Sequence, residues 1–328
     1  MSMDPVILSR VQDKLFSLRV SREAQAAERQ QELFAKFPRL REIEAELGST
    51  AARIMRAAVA DGSDYRPRFE EMKKRNLELQ AERTEILVSG GLSADALEVQ
   101  SDCPDCGDTG FLSDGSPCKC LLRGYAEEQI SELETWLPTR RATFDTFDEN
   151  LYSDVYDESW KASPRENAVA VRDACRAFAA NLKNSESIVI TGGAGVGKSF
   201  LASCVAVEAS RHARSVCCRT MAELTALHER EKFSYDDDVR DAAQAEIERL
   251  ERCDLLIIDS LGGEFRSALS VTVLLGTLTT RIAAKKRTFI CTTLDESEFE
   301  GRYNAEIASR LVGDFEVLPL FGEDLRRK

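Results

Sequence analysis

The chain has 328 residues, 43% apolar and 31% charged, and its 57 Asp and Glu outweigh 44 Lys and Arg to leave a net charge of −13. That length has room for one catalytic-sized domain and a smaller module. No run approaches the roughly 18 apolar residues of a membrane span, and Asp4, Arg10, Asp13, Lys14 and Arg19 break up any secretory leader, so no membrane association and a cytoplasmic location are expected.

Charge is unevenly placed. Residues 1–100 carry 16 Lys and Arg against 17 Asp and Glu, which leaves 28 against 40 for the remaining 228. A surface that acidic does not bind nucleic acid by bulk electrostatics alone, so any DNA contact is expected to be local, weak, or concentrated by oligomerisation.

From the N-terminus, residues 6–35 predict a helix ended by Pro38. Leu40, Ile43, Leu47, Thr50, Ile54 and Ala58 then recur at steps of three and four, as do Phe69, Met72, Asn76, Leu79, Arg83 and Ile86. A turn at Asp61-Gly62-Ser63-Asp64 joins the two seams into an antiparallel helical hairpin within a region bounded at 1–98. Such a hairpin is either a small core of its own or a docking surface for a partner's helices.

Residues 99–125 hold Cys103-Pro104-Asp105-Cys106 and Pro117-Cys118-Lys119-Cys120 around a Gly-, Asp- and Ser-rich stretch. Four thiolates on two turns can close a tetrahedral zinc site, and a segment with few apolar residues needs such a staple. The tight second half leaves a redox pair or unliganded thiols as the alternatives. The other cysteines (Cys175, Cys204, Cys217, Cys218, Cys253, Cys291) sit in apolar segments and read as small buried hydrophobes. Residues 126–165 read as a linker.

Over 166–328, β segments at 188–191, 215–219, 254–258, 287–292 and 315–320 alternate with helical stretches, which predicts a parallel sheet with helices on both faces. The first strand runs into Gly192-Gly193-Ala194-Gly195-Val196-Gly197-Lys198-Ser199-Phe200, the glycine-rich phosphate loop of nucleoside triphosphatases. Its backbone N–H groups would cradle the phosphates of ATP or GTP, Lys198 would reach the β- and γ-phosphates, and Ser199 would ligate Mg2+. Cys253 to Asp259 is an apolar strand ending in an acid, so Asp259 is the second magnesium-holding residue. A strand lying between these motifs marks the additional-strand class of ATPase.

The position after Asp259, where such enzymes place a water-polarising acid, is Ser260. Glu264 is either its substitute or the N-cap of the next helix. Thr293 is either a γ-phosphate sensor or the β-branched end of its strand. Arg310 is either an arginine finger for a neighbouring subunit's nucleotide or a surface ion-pair partner. Only 18 residues follow Arg310, too few for a helical lid, and Arg326 among them reads as a nucleotide or DNA contact or as tail.

Taken together, these motifs resemble the bacterial replicative helicase loaders of the DnaC/DnaI type, phage-borne relatives included. The likeness runs over nearly the whole chain and is most specific at Cys103 to Cys120, Phe144 to Tyr152, Ser163-Pro164-Arg165-Glu166, the phosphate loop, Asp254 to Glu264, Tyr303 to Gly313 and Gly322-Glu323-Asp324-Leu325-Arg326. The resemblance implies a lidless AAA+ P-loop ATPase domain, an α/β fold with a five-stranded parallel sheet. Ahead of it would stand a helical hairpin and zinc module that grip the hexameric replicative helicase. It further implies ATP, Mg2+ and Zn2+ as cofactors, single-stranded DNA as a ligand, and self-association through the ATP sites.

The chain departs from that family's pattern at Ser260 (usually an acid), Thr293 (usually Asn) and Glu306 (usually Arg). Weak hydrolysis is therefore expected. Two other readings stand beside the loader: an IstB-like transposition helper ATPase, and a non-hydrolysing ATP-binding adaptor.

Overall fold

Five short apolar segments become strands because residues covered on both faces have no polar side to turn to water. They are β1 (Ser187–Thr191), β2 (Val216–Arg219), β3 (Leu255–Leu261), β4 (Arg287–Thr292) and β5 (Phe315–Pro319). In the computed structural model, which describes residues 3–60 and 66–327 and the side chains outside 50–69, these strands form one parallel sheet of order β2-β3-β4-β1-β5. Ile188, Ile190, Cys218, Ile257, Phe289 and Cys291 enter one apolar cluster, and Val189, Cys217, Leu256, Ile258 and Ile290 enter another. The strict alternation follows from the two-residue period of the pleat.

The helices are α1 (Pro5–Lys36), α2 (Pro38–Ala60), α3 (Arg66–Ser89), α4 (Lys119–Leu133), α5 (Pro164–Ala180), α6 (Lys198–Arg211), α7 (Met221–Phe233), α8 (Asp237–Arg252), α9 (Ala268–Ala283), α10 (Phe299–Arg302) and α11 (Ala305–Gly313). α5 and α6 pack on the first cluster through Val171, Cys175, Phe178, Leu201 and Val205. α7, α8, α9 and α11 pack on the second through Leu224, Ile247, Leu274, Leu278 and Leu311. α5 starts on a capping box, with Ser163 accepting from the Glu166 N–H, the Glu166 carboxylate accepting from the Ser163 N–H, and Pro164 in the first turn.

The chain divides into two compact units, Met1–Gln12 with Lys119–Lys328, and Asp13–Cys118. This corrects the expected boundaries. Residues 126–165 are no linker: α4 buries Leu121, Tyr125, Gln129 and Leu133 in the same unit as the sheet. Gln129 is fully buried and satisfied on every side, donating to Ser210 Oγ and the Arg214 carbonyl at 2.7 Å each and accepting from the Val216 N–H at 3.0 Å. Val216 belongs to the edge strand, whose free N–H would otherwise be orphaned. The first turn of α1 joins the same unit: the Asp4 N–H donates to Tyr125 Oη at 2.7 Å, and the Asp4 carboxylate pairs with Arg249 at 2.5 Å.

In the other unit, α2 and α3 run antiparallel, cross-linked by Arg39–Glu82 at 2.7 Å, Arg75–Glu46 at 2.8 Å and Arg83–Glu44 at 3.2 Å. Leu40, Ile43 and Leu79 of the expected seam are fully buried. The expected turn at Asp61 to Asp64 and the side chains of Thr50, Ile54, Ala58 and Phe69 lie outside the described residues. No helix among the described residues is long and apolar enough to cross a membrane.

Candidate functional site

β1 delivers the chain to the C-terminal edge of the sheet, where open α/β folds bind ligands. There Gly192 to Gly197 turn back into α6. A Cβ on Gly192, at φ 138°, would run into the Leu320 carbonyl, and one on Gly197, at φ 107°, would sit 2.5 Å from Tyr152 Oη, so only glycine fits either position. Lys198 is buried, its ammonium donating to the carbonyls of Gly192 and Gly193 at 2.7 and 2.6 Å. Burial pulls its pKa below the ordinary lysine range.

β4 lies between β1 and β3, yet the two motifs meet: Ser199 Oγ donates to Asp259 Oδ1 at 3.2 Å. A hydroxyl and a carboxylate at the mouth of a phosphate loop suit a hard, oxygen-seeking cation such as Mg2+. β3 does not stop at the acid. Its register slips between Asp259, opposite Cys291, and Leu261, opposite Thr292, and Ser260 between them is extruded at φ 74°. Ser260 is exposed and lines the cavity above the loop, about 620 Å3 in volume.

Two segments that sequence reasoning left out or left open complete this cavity. Pro138, Phe147, Leu151 and Tyr152 form an apolar wall, and Leu325 with Arg326 closes another side. Phe147 stacks on Tyr152 with ring centroids 5.6 Å apart, and Arg172 lies 5.4 Å over the Phe147 ring. The Tyr152 hydroxyl donates to the Val196 carbonyl of the phosphate loop at 2.9 Å, and burial raises its pKa to about 12, so it stays a donor. The Leu325 N–H donates to the Gly195 carbonyl at 3.0 Å, fixing Arg326 at the cavity. The aromatics at 144–152 were the available signal, but nothing local in sequence says which loop they will cover.

The remaining predicted residues separate. Thr293 lies one residue past β4, is exposed and lines the cavity. Glu264 does neither of the things expected of it. Its buried carboxylate accepts from the Gly262 N–H at 2.8 Å and the Tyr303 hydroxyl at 2.6 Å and pairs with Arg302 at 3.4 Å, away from the cavity lining. The N-cap of α9 is Ser267, with Ser270 completing its capping box. Arg310 faces Glu306 at 3.7 Å and Asp314 at 4.0 Å on α11 and does not line the cavity.

The sulfur atoms of Cys103, Cys106, Cys118 and Cys120 all lie within 4.8 Å of one another, and Cys103 and Cys118 are 3.6 Å apart. Ligands at ~2.3 Å from a tetrahedral Zn2+ are separated by about 3.8 Å, so this donor set fits zinc. Asp108 braces the first knuckle, accepting from the N–H groups of Cys103 at 2.9 Å and Asp102 at 3.1 Å while pairing with Arg22. The other six cysteines are all buried, as expected of small hydrophobes.

A glycine loop capping a helix at the end of one strand, an acid on the next strand but one, and a strand between them define a P-loop domain of the additional-strand type. Residues 162–328 match the family of IstB-like ATP binding proteins, and the chain belongs to that family. No curated protein matches the sequence. Among solved structures, the chain is similar to AMPPCP-bound DnaA from Aquifex aeolicus (15% identity, TM-score 0.43, 55% of this chain), spanning 50% of that protein's length. It is also similar to DnaI (20%, 0.41, 57% of this chain and 91% of that one) and to the DnaC helicase loader (18%, 0.43, 56% and 98%).

Proposed function

We propose that the chain is an ATP-binding loader of the hexameric replicative DNA helicase, gripping the helicase through its N-terminal part and binding ATP and single-stranded DNA through the sheet-bearing domain. The observation that carries this reading is the coexistence, in one chain, of a four-thiol cluster beside a helical hairpin and an IstB-like nucleotide cleft. ATP, when bound, supplies the triphosphate charge to which the cleft responds. Lys198 leaves the loop carbonyls to hold that charge, Ser199 and Asp259 hold its magnesium, and Thr293 and Arg326 line the same cleft. The apolar wall of Phe147, Leu151 and Tyr152 is the natural seat for the base.

Hydrolysis is slow in this reading, because Ser260 cannot polarise water and Glu264 is held by Tyr303 and Arg302. Bound ATP therefore acts chiefly as a held state, in which Arg310 of one copy reaches the nucleotide of a neighbour and ties loaders together. Co-purification with the replicative helicase of the same source, with and without ATP, tests the proposal. Recovery of helicase that depends on the four cysteines supports it, and no recovery in either condition sinks it.

The family match favours a second reading, a transposition helper ATPase that directs a transposase to target DNA. Capture of a transposase instead of a helicase in the same experiment would select it. The engagement of Glu264 likewise favours a variant in which the nucleotide is a structural switch and is never hydrolysed.

A further inference from the structure

Opposite the nucleotide cleft, at the edge where the strands begin, the fold gathers cations from three separate chain segments. Lys183 precedes β1, Arg214 precedes β2, and Lys285, Lys286 and Arg287 join the end of α9 to β4. All five line one cavity of about 180 Å3, with Asp254 at the start of β3 as its single carboxylate. Asp254 is matched by Lys286 at 2.8 Å. Arg287 is fixed in place by the carbonyls of Leu182 and Lys183, at 3.2 and 2.8 Å, which satisfy its hydrogen bonds without neutralising it. Lys183, Arg214 and Lys285 form no ion pair among the described residues.

Four uncompensated cations around one small cavity stand out in a chain of net charge −13. They concentrate locally the positive potential that the rest of the surface lacks. We infer that this cavity is a phosphate-binding site that receives the backbone of a nucleic acid. Its volume is ample for a phosphate group and its lining holds no aromatic ring for a base to stack on, so contact there would be independent of sequence. The exposed Lys183 and Lys285 at its rim are placed for the phosphates on either side. The inference takes from the proposed function only the choice of nucleic acid as the source of phosphate, and it does not depend on the ATP cleft.

The test uses the full chain carrying Lys183→Gln, Arg214→Gln and Lys285→Gln together. A control chain carries Lys73→Gln, Lys74→Gln and Arg123→Gln, an equal loss of charge at exposed positions elsewhere. Anisotropy of fluorescein-labelled oligothymidylate, titrated at several salt concentrations, should show affinity about tenfold weaker in the cavity variant only. The slope of log affinity against log salt should flatten by about 2, since each neutralised phosphate on a single strand contributes about 0.7. Unchanged melting temperature and ATP binding keep the comparison clean. A parallel titration with tripolyphosphate, in a Lys198→Ala background that disables the cleft, separates the sources. Loss of tripolyphosphate binding with DNA affinity unchanged would keep the phosphate site and overturn nucleic acid as its ligand. No change in either would overturn the inference and leave these cations as neutralisers of the helix C-termini that end at this edge.

Discussion

Lys198→Ala addresses the cleft most directly. In the structure the ammonium group donates to two loop carbonyls, Gly192 and Gly193, at 2.7 and 2.6 Å. Nucleotide binding exchanges these charge–dipole bonds for charge–charge bonds to phosphate, so the net gain is about that of one charge-assisted hydrogen bond, roughly 1.5–3 kcal/mol. Removing the amine should therefore weaken ATP about 10- to 100-fold. Titration with a fluorescent ATP analogue in the presence of magnesium reads this, and a melting curve confirms that the variant folds. The lowered pKa adds a second signature. Phosphate contact needs the protonated amine, so wild-type affinity is fullest below the Lys198 pKa and is lost as pH rises through it, earlier than an ordinary lysine would allow. The alanine variant should lack that decline. An affinity changed less than about twofold, or an identical pH profile in the two proteins, would refute the assignment of the loop.

Purified protein never exposed to chelator should contain one zinc per chain by elemental analysis, and Cys106→Ser should lose most of it; under about half an equivalent in the wild type would remove the site. Ser260→Glu should raise ATP turnover without tightening ATP binding, because residue 260 is extruded into the cavity beside Asp259; steady-state phosphate release measures it, and a wild-type rate already on the order of 10 per second would contradict the reasoning. Tyr152→Phe removes the hydroxyl that braces the Val196 carbonyl and should destabilise the loop by about 1 kcal/mol, seen as several-fold weaker ATP binding with little change in overall melting. Arg310→Ala should leave ATP binding by the monomer intact and weaken ATP-dependent self-association, read by analytical ultracentrifugation; loss of monomer binding would mean that Arg310 acts within its own chain.

Sequence alone determined the parts whose information is local. A β-branched run, a glycine loop and a following helix are contiguous, so the phosphate loop, the place of Asp259 on β3, and all five strands were legible to within a few residues. The cysteine spacing likewise announced a cluster that closes within 18 residues of chain. Tertiary structure decided whatever depends on which distant segments meet. Residues 126–165 looked like a linker because their apolar positions have no partner nearby, yet Gln129 and Tyr152 find theirs on β2 and on the phosphate loop. Glu264 sat at a plausible spacing for catalysis, but spacing does not reveal that Tyr303, 39 residues later, takes its carboxylate. Ser260 was visible as a missing acid, whereas its extrusion comes from a register slip against β4 that no local pattern encodes. The five cations of the opposite edge are scattered over about a hundred residues of sequence and become one site only because parallel strands all begin at the same edge of the sheet.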